Sequence, residues 1–448
     1  MLTKSDFMKY VECPVYLWMT KHRPDLLPED TPEKGRILEM GREVDDFSRK
    51  LFPGGVEVGG YNQEGWQNTQ KITADGAKTL FQPTVVAGEL TCRADILERD
   101  GDSWVINEVK MATKVKKEYP FDVAFQQICF ETADMKVAGT NLIHINNQYV
   151  RKGEIDPKKL FISEDIADAV LEKTPETKRL IPLALEVLKN QEAPSEDFLA
   201  LCPNPRTCEY LKVYLESVGQ TPEPMEIEPS TDSTGIKEKL SELKYPLYFL
   251  DYETHSSAIP SFDGTRPYQN VPFQYSLIVM ASPEAEPKYF EFLARKFANP
   301  VPELLIQLEQ NLGPKGSVIV WNESFEKGCN EEMARMEPAY AKFLQNVNDR
   351  VFDLMLIFKF KNRLYVRSEF QKSASLKKVL PIVCPELSYE SLVIREDGEA
   401  SLSWLTLTDS KVPEPDKNKL AENMLEYCKR DTEAMVCILK KLWKEIKK

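Results

Sequence analysis

Histidine is scarce in this sequence, basic residues are in deficit, and no apolar run approaches the eighteen or so residues of a membrane span. Each shortage excludes something. Without such a run, no segment is expected to cross a bilayer. The opening MLTKSDFMKY is broken by Lys4, Asp6 and Lys9, which is wrong for a signal peptide, so a cytoplasmic protein is expected. Lys and Arg total 58 against 71 Asp and Glu, a formal net charge of −13. That balance excludes a generally basic nucleic-acid-coating protein but leaves room for one local cationic strip. Nine cysteines in 448 residues, with no secretory signal, argue against a disulfide framework. Cys92, Cys129, Cys329, Cys384, Cys428 and Cys437 lie in apolar surroundings and read as small buried hydrophobes.

What is present suffices for folded domains. Hydrophobic residues make up 42% and charged residues 29%, and the length suggests two or three units at about 150 residues each. The stretch VGQTPEPMEIEPSTDSTG lacks helical or strand period and has a linker composition. It divides the chain into domains at 1–217 and 241–448, with 218–240 as the linker.

In the first half, Ile37, Met40, Val44, Phe47 and Leu51 recur at helical spacing and predict an amphipathic helix that stops at Pro53. Thr84–Asp100 and Ser103–Lys110 read as strands joined at Asp100-Gly101-Asp102. Helices are expected from about Asp122 to Met135 and over 165–192. On a strand, Glu108 and Lys110 share one face, with Val109 directed to the core. The hairpin brings Asp95 near Glu108. Two carboxylates can hold a divalent cation, and a lysine beside them can orient a bound water and stabilise charge on a phosphate. A surface ion pair would read the same way from Glu108-Val109-Lys110 alone.

Asp95, the turn, Glu108-Val109-Lys110 and a helix bearing Gln126 and Phe130 together resemble the PD-(D/E)XK nucleases. The closest likeness is to the RecB-like branch that includes the CRISPR-adaptation nucleases, whose opening LTKSDFMKYVECPVYLWM also resembles. Ala94 stands where that family usually has proline. The resemblance implies a restriction-endonuclease-like domain in which Asp95 and Glu108 bind metal, Lys110 acts on the water and Gln126 completes the site. It also implies an iron–sulfur cluster, of which Cys13, Cys202 and Cys208 match three ligand positions. The fourth falls near Tyr214, and cubane clusters want four thiolates. A three-thiolate cluster, a different fourth ligand, zinc and a lost cluster all stay open.

The second half has an α/β pattern: strands at YPLYFLDYET, FQYSLIVMA, PKYFEFLA and SVIVWN, with helices interleaved. Asp251 and Glu253 share a face at the end of the first of these. In the C-terminal helix, Leu420, Met424, Tyr427, Asp431, Ala434, Ile438 and Leu442 form one stripe, which turns Asp431 inward. A buried carboxylate is costly unless it is paired, for instance with Arg430, or bound to metal.

Asp251-Tyr252-Glu253, Asn322 with Phe325-Glu326, and Tyr427 with Asp431 resemble the three motifs of the DEDD exonucleases of the RNase H-like fold. The histidine subclass is excluded, because the histidines are His22, His144 and His255. The tyrosine subclass implies two Mg²⁺ or Mn²⁺ ions on Asp251, Glu253, Glu326 and Asp431, an attacking water positioned by Tyr427, and 3′-to-5′ digestion. Glu326 stands where that motif has Asp, and a misplacement of about 1 Å can cost on the order of a hundredfold in rate. Asp353 is a spare acid. SFDGTRPYQNVPFQYSL and SASLKKVLP also resemble bacterial proteins that fuse a RecB-like nuclease to such an exonuclease domain.

Lys359, Lys361, Arg363, Arg367 and Lys372, followed by Lys377 and Lys378, form a cationic strip with Phe358, Phe360, Tyr365 and Phe370 interleaved. Cations for phosphates and aromatic faces for bases suit single-strand binding, whereas core aromatics under a solvated face would look alike. Lys114, Lys116 and Lys117 could serve the first site similarly. The expectation is a metal-dependent nuclease acting on single-stranded DNA ends, with a ribonuclease or a nucleic-acid-binding adaptor with dead sites as alternatives.

Overall fold

The computed structural model describes residues 1–27, 31–194, 210, 213–215, 219 and 227–447. The chain separates into two compact units, Met1–Tyr149 with Gly153–Glu223, and Val150–Lys152 with Pro224–Lys448. Both are mixed α/β.

The first unit opens with helix α1 (Lys4–Glu12), capped by Thr3, whose Oγ1 accepts from the Asp6 amide at 3.0 Å. Helix α2 (Pro32–Ser48) follows. The central sheet holds β1 (Ile96–Asp100), β2 (Ser103–Lys110) and β3 (Val137–Ile145) in that order, flanked by Val56–Glu57 and Thr79–Phe81 on one side and Phe161–Asp165 on the other. β1 and β2 form an antiparallel hairpin. β2 and β3 are parallel, so the chain must cross over between them, and it does so through α3 (Tyr119–Thr132). Helix α4 (Ala167–Lys189) then continues through Pro175 and Pro182.

Three expectations change here. The run Thr84–Asp100 is three strands, Thr84–Ala87, Leu90–Arg93 and β1, because Gly88 turns at φ +64° and Asp95 interrupts the chain before Ile96. The apolar stripe of α2 is partnered only at its C-terminal end: Val44 is buried, while Ile37 is 46% exposed. Glu108 also lies on a covered face of its strand. Trp104 and Ile106, four and two residues earlier, pack into the same core as Val123, Phe125 and Ile128 of α3. α3 therefore lies over Glu108, and β2 is buried on both faces.

The second unit is built on a five-stranded sheet of β4 (Leu247–His255), β5 (Val271–Met280), β6 (Lys288–Leu293), β7 (Ser317–Val320) and β8 (Val351–Asp353). Their order is β6-β5-β4-β7-β8, with β5 antiparallel to its neighbours and β4, β7 and β8 mutually parallel. β4 is thus central, and the chain reaches β7 on its far side only after β6, through the helix Val301–Asn311. Helix α5 (Glu323–Met336) follows β7, α6 (Leu376–Val383) follows a run of short turns, and α7 (Glu414–Glu445) closes the unit. Met424, Tyr427, Asp431, Ala434, Ile438 and Leu442 of α7 are all buried. Hydrogen bonds tie α7 to β5: Gln274 Nε2 donates to the Met424 carbonyl at 2.9 Å, and the Ser276 and Thr432 hydroxyls meet at 2.7 Å.

Residues 218–240, expected as a linker, are ordered at their C-terminal end. Ser230–Thr231 pairs with Tyr365–Val366, and Ser233–Leu240 is a helix that buries Ile236 and Leu240 in the second core. Asp232 caps it, accepting from the Gly235 amide at 2.9 Å. The uniform reading of the six cysteines also fails, since Cys384 and Cys437 are disulfide-bonded. α6 packs against α7, which brings the two sulfurs together across 53 residues of sequence. Among the described residues, no helix is long and apolar enough to cross a membrane.

Candidate metal centres

In the first unit, Glu108 is 1% exposed at the centre of a dense polar cluster. Lys110 donates to its Oε1 at 2.7 Å, Lys4 of α1 to the same oxygen at 2.8 Å, and Gln126 to Oε2 at 2.7 Å. Asp122, one turn before Gln126 on α3, accepts from Lys110 at 2.5 Å and from Gln126 at 2.9 Å. Asp95 accepts from the Val109 amide at 2.8 Å and from Gln82 at 3.3 Å. Gln82 also reaches Asp45 of α2 at 3.1 Å. Asp95, Glu108 and Asp122 thus surround the Lys4 and Lys110 ammonium groups, Asp45 pairs instead with Arg49 at 2.7 Å, and Asp95 lines a cleft of about 300 Å³ with Lys4, Tyr61 and Arg93.

The electrostatics separate the two carboxylates named from sequence. Burial pushes Asp95 up to about 7, and neighbouring Glu108 adds to the rise. Burial acts on Glu108 in the same direction, but the Lys110 and Lys4 ammonium groups outweigh it and hold Glu108 below the usual carboxylate range. Burial would lower Lys110, yet Glu108 and Asp122 outweigh it and raise the ammonium above its ordinary value.

In the second unit, Asp251, Glu253, Glu326 and Asp431 line one cavity of about 420 Å³, together with Trp321, Asn322, Lys377 and others. Asp251 and Glu253 alternate with Tyr252 at the C-terminal end of β4, which directs both carboxylates to the same side. Asn322 and Glu326 begin α5 directly after β7, the parallel neighbour of β4. Asp431 arrives from α7. Glu253, Glu326 and Asp431 are only 7%, 3% and 8% exposed. Among the described residues, Glu326 Oε2 has no hydrogen-bond partner, and burial, with Asp353 and Asp431 adding repulsion, pushes this carboxyl up to about 8. A buried carboxylate of this kind is what a divalent cation satisfies through oxygen.

Three site residues carried no clear sequence signal. Tyr389 donates its hydroxyl to Asp431, the role considered for Arg430, which instead reaches the Ser388 carbonyl. Cys428 Sγ lies 3.5 Å from Asp251 Oδ2. Lys4 comes from 104 residues away. Asp122 was not named as a site residue either, although it shares a helical face with Gln126 at i, i+4 spacing, a signal that could have found it. Tyr427 is fully buried, its ring 6.2 Å from that of Tyr389 and 5.5 Å from Lys377 Nζ. Asp353 caps the turn after β8, accepting from the Met355 amide at 3.0 Å, and its other oxygen lies 3.9 Å from Lys359.

The cationic strip is partly structural. Phe358 and Phe370 are buried in the core, which removes them as stacking faces for bases. Arg367 binds the Val366 carbonyl at 2.8 Å and the Thr231 hydroxyl at 3.1 Å while lying over Tyr365. Lys361, Arg363 and Lys372 are exposed, and Arg363 and Lys372 both approach the Phe360 ring at 5.1 Å. Cys13 is half-buried beside the cluster of Val15, Trp18, Met19 and Tyr214, and Cys202 and Cys208 lie outside the described residues.

Residues 248–375 match the model of a domain of unknown function (DUF2779), a span that contains Asp251, Glu253 and Glu326 and ends before Asp431. Among curated proteins, an uncharacterised protein of Mycoplasma genitalium is 28% identical over 220 residues, 46% of this chain and 33% of that one. An uncharacterised Mycoplasma pneumoniae homologue of it is 29% identical over 220 residues, 46% of this chain and 32% of its own. The chain therefore spans about a third of the length of the curated relatives it matches.

Proposed function

We propose that the chain is a metal-dependent nuclease whose second unit is an RNase H-like 3′-to-5′ exonuclease of the DEDD tyrosine type. The observation that carries this reading is the convergence of Asp251, Glu253, Glu326 and Asp431 on one cavity, with Glu326 Oε2 buried and unpartnered among the described residues. Like charges gathered at low solvent exposure repel unless a cation joins them. The cavity also sits at the carboxyl ends of the parallel neighbours β4 and β7, the side on which open α/β sheets bind their ligands.

The donor set is all oxygen apart from Cys428 and suits Mg²⁺ or Mn²⁺, with Asp251, Glu253, Glu326 and Asp431 as the holding residues. Two such ions, when bound, supply charge stabilisation to the entering and leaving oxygens of a phosphodiester. Lys377 adds a cation to the cavity wall for a phosphate oxygen, and the exposed Lys361, Arg363 and Lys372 offer charge for a single strand. Tyr389 holds Asp431, and its ring lies 6.2 Å from that of Tyr427.

The first unit is a second, PD-(D/E)XK-type nuclease site in this proposal, with Asp95 and Glu108 towards a cation and Lys110 towards a water. One observation favours a second reading for that unit. Glu108 is already satisfied by Lys110, Lys4 and Gln126, as in a purely structural ion-pair network, which would leave the first unit a binding role.

Degradation of end-labelled single-stranded DNA and RNA with Mg²⁺ or Mn²⁺, wild type beside Asp251→Ala, tests the exonuclease. Laddering abolished by the substitution is the expected result and identifies the polymer. Absence of laddering on both polymers with the wild type would refute the exonuclease.

A further inference from the structure

The second site contains a sulfur that an all-carboxylate exonuclease centre does not require. Cys428 follows Tyr427 on α7 and is fully buried, and its Sγ lies 3.5 Å from Asp251 Oδ2. One ligand atom each of Asp251, Glu253 and Cys428 falls within 4.8 Å of the others. A second observation points to a cation beside the same two carboxylates: Glu326 Oε2, on the cavity that Asp251 and Glu253 line, is buried and has no hydrogen-bond partner among the described residues.

Ligand softness decides which cation such a set favours. Mg²⁺ and Mn²⁺ prefer oxygen and gain little from a thiolate, whereas zinc-class ions bind sulfur strongly and accept three protein ligands with an open fourth position. We propose that Asp251, Glu253 and Cys428 form a mixed oxygen–sulfur site for a thiophilic divalent cation of the zinc class, and that a cation held there keeps Mg²⁺ and Mn²⁺ off the same two carboxylates. On binding, the thiol proton leaves to solvent and the sulfur lone pair goes to the metal. The binding claim stands on the three side chains alone. Its consequence, inhibition by zinc, rests on the proposed exonuclease reading.

The test uses the full chain, stripped of metal with a chelator and titrated with Cd²⁺ as the probe, following the ultraviolet charge-transfer absorption of cadmium–thiolate bonds. The comparison is between the wild type, Cys428→Ser, and the double variant Asp251→Asn with Glu253→Gln. Contributions from the other free cysteines, Cys13, Cys92, Cys129 and Cys329 among them, are common to all three and cancel in the difference. One increment is expected to vanish in Cys428→Ser and to need at least about tenfold more Cd²⁺ in the double variant. An unchanged increment in Cys428→Ser overturns the site, as does full retention of its affinity in the double variant.

If Cys428→Ser does not fold, X-ray absorption of wild-type protein loaded with one equivalent of Zn²⁺ decides instead, since a shell with no sulfur overturns the proposal. Activity is scored separately. A protein that binds Cd²⁺ through Cys428 but degrades no nucleic acid keeps the site and loses the exonuclease reading. Exonuclease activity with no Cys428-dependent Cd²⁺ signal does the reverse.

Discussion

Replacing Glu326 by glutamine should make the metal-free protein more stable, and only at neutral and alkaline pH. Its carboxyl is 3% exposed and moves from an ordinary value of 4.5 to about 8 on folding, chiefly through burial. At about 1.4 kcal/mol for each tenfold change in proton affinity, the full displacement corresponds to roughly 5 kcal/mol, of which about 3 kcal/mol is in force at pH 7. The sign follows from linkage. The folded state binds the extra proton, so stability is fully present below about pH 4.5, falls as pH rises, and levels off above about 8. Glutamine has nearly the same shape and no charge, so it removes this penalty. Thermal melts with chelator should show the second unit's transition unchanged near pH 4.5 and raised by roughly 6–12 °C in Glu326→Gln at pH 7, taking about 2–4 °C per kcal/mol for a unit of this size. With Mn²⁺ present the order should narrow or invert, because only the wild-type carboxylate gains from the cation. A pH-independent shift, a less stable variant in chelator at pH 8, or equal responses to Mn²⁺ would each refute the assignment of Glu326 as a buried, cation-seeking carboxylate.

Other expectations follow from the same geometry. Asp431→Ala should abolish end-dependent degradation and spare endonucleolytic nicking, whereas Glu108→Ala should do the opposite if the first site cuts; equal loss of one activity in both variants would end the two-site scheme. In an Asp251→Ala background, Mn²⁺ affinity of the first site by calorimetry should rise about fivefold from pH 6 to 7 and about tenfold by pH 8, then flatten, because Asp95 surrenders its proton near 7. An affinity flat across that interval would remove Asp95 from the ligand set. Trp404 stacks on Phe273 at 4.8 Å and donates to the Ala294 carbonyl at 2.8 Å, fully buried. Trp404→Ala should therefore cost about 3–5 kcal/mol in urea unfolding of the second unit, and a cost under 1 kcal/mol would contradict its place in that core.

Local period made several placements legible from the residues alone. The alternation along β4 puts Asp251 and Glu253 on one side, and the helical stripe of α7 turns Asp431 inward beside Met424 and Ala434. The linker expected over 218–240 takes in Ser230–Thr231, which pairs with Tyr365–Val366, and a helix after Asp232, neither of which polar, proline-rich composition reveals. That short helix depends on two apolar residues, Ile236 and Leu240, finding a core formed elsewhere. The strip around Lys359 left two readings open for a related reason. Alternating cations and aromatics does not reveal that Phe358 and Phe370 are buried while their neighbours stay in water.

By itself, then, the sequence determined which side chains share a face within an element, because backbone period is a local property of the chain. It also marked two acidic constellations, one around Glu108 on β2 and one at the end of β4. The tertiary structure alone decided what closes around them. Lys4 reaches Glu108 across 104 residues, Tyr389 takes Asp431, and Cys428 settles against Asp251. Those partners are set by how helix faces stack on sheets, a choice made by packing the whole core at once, and no window of neighbouring residues encodes it.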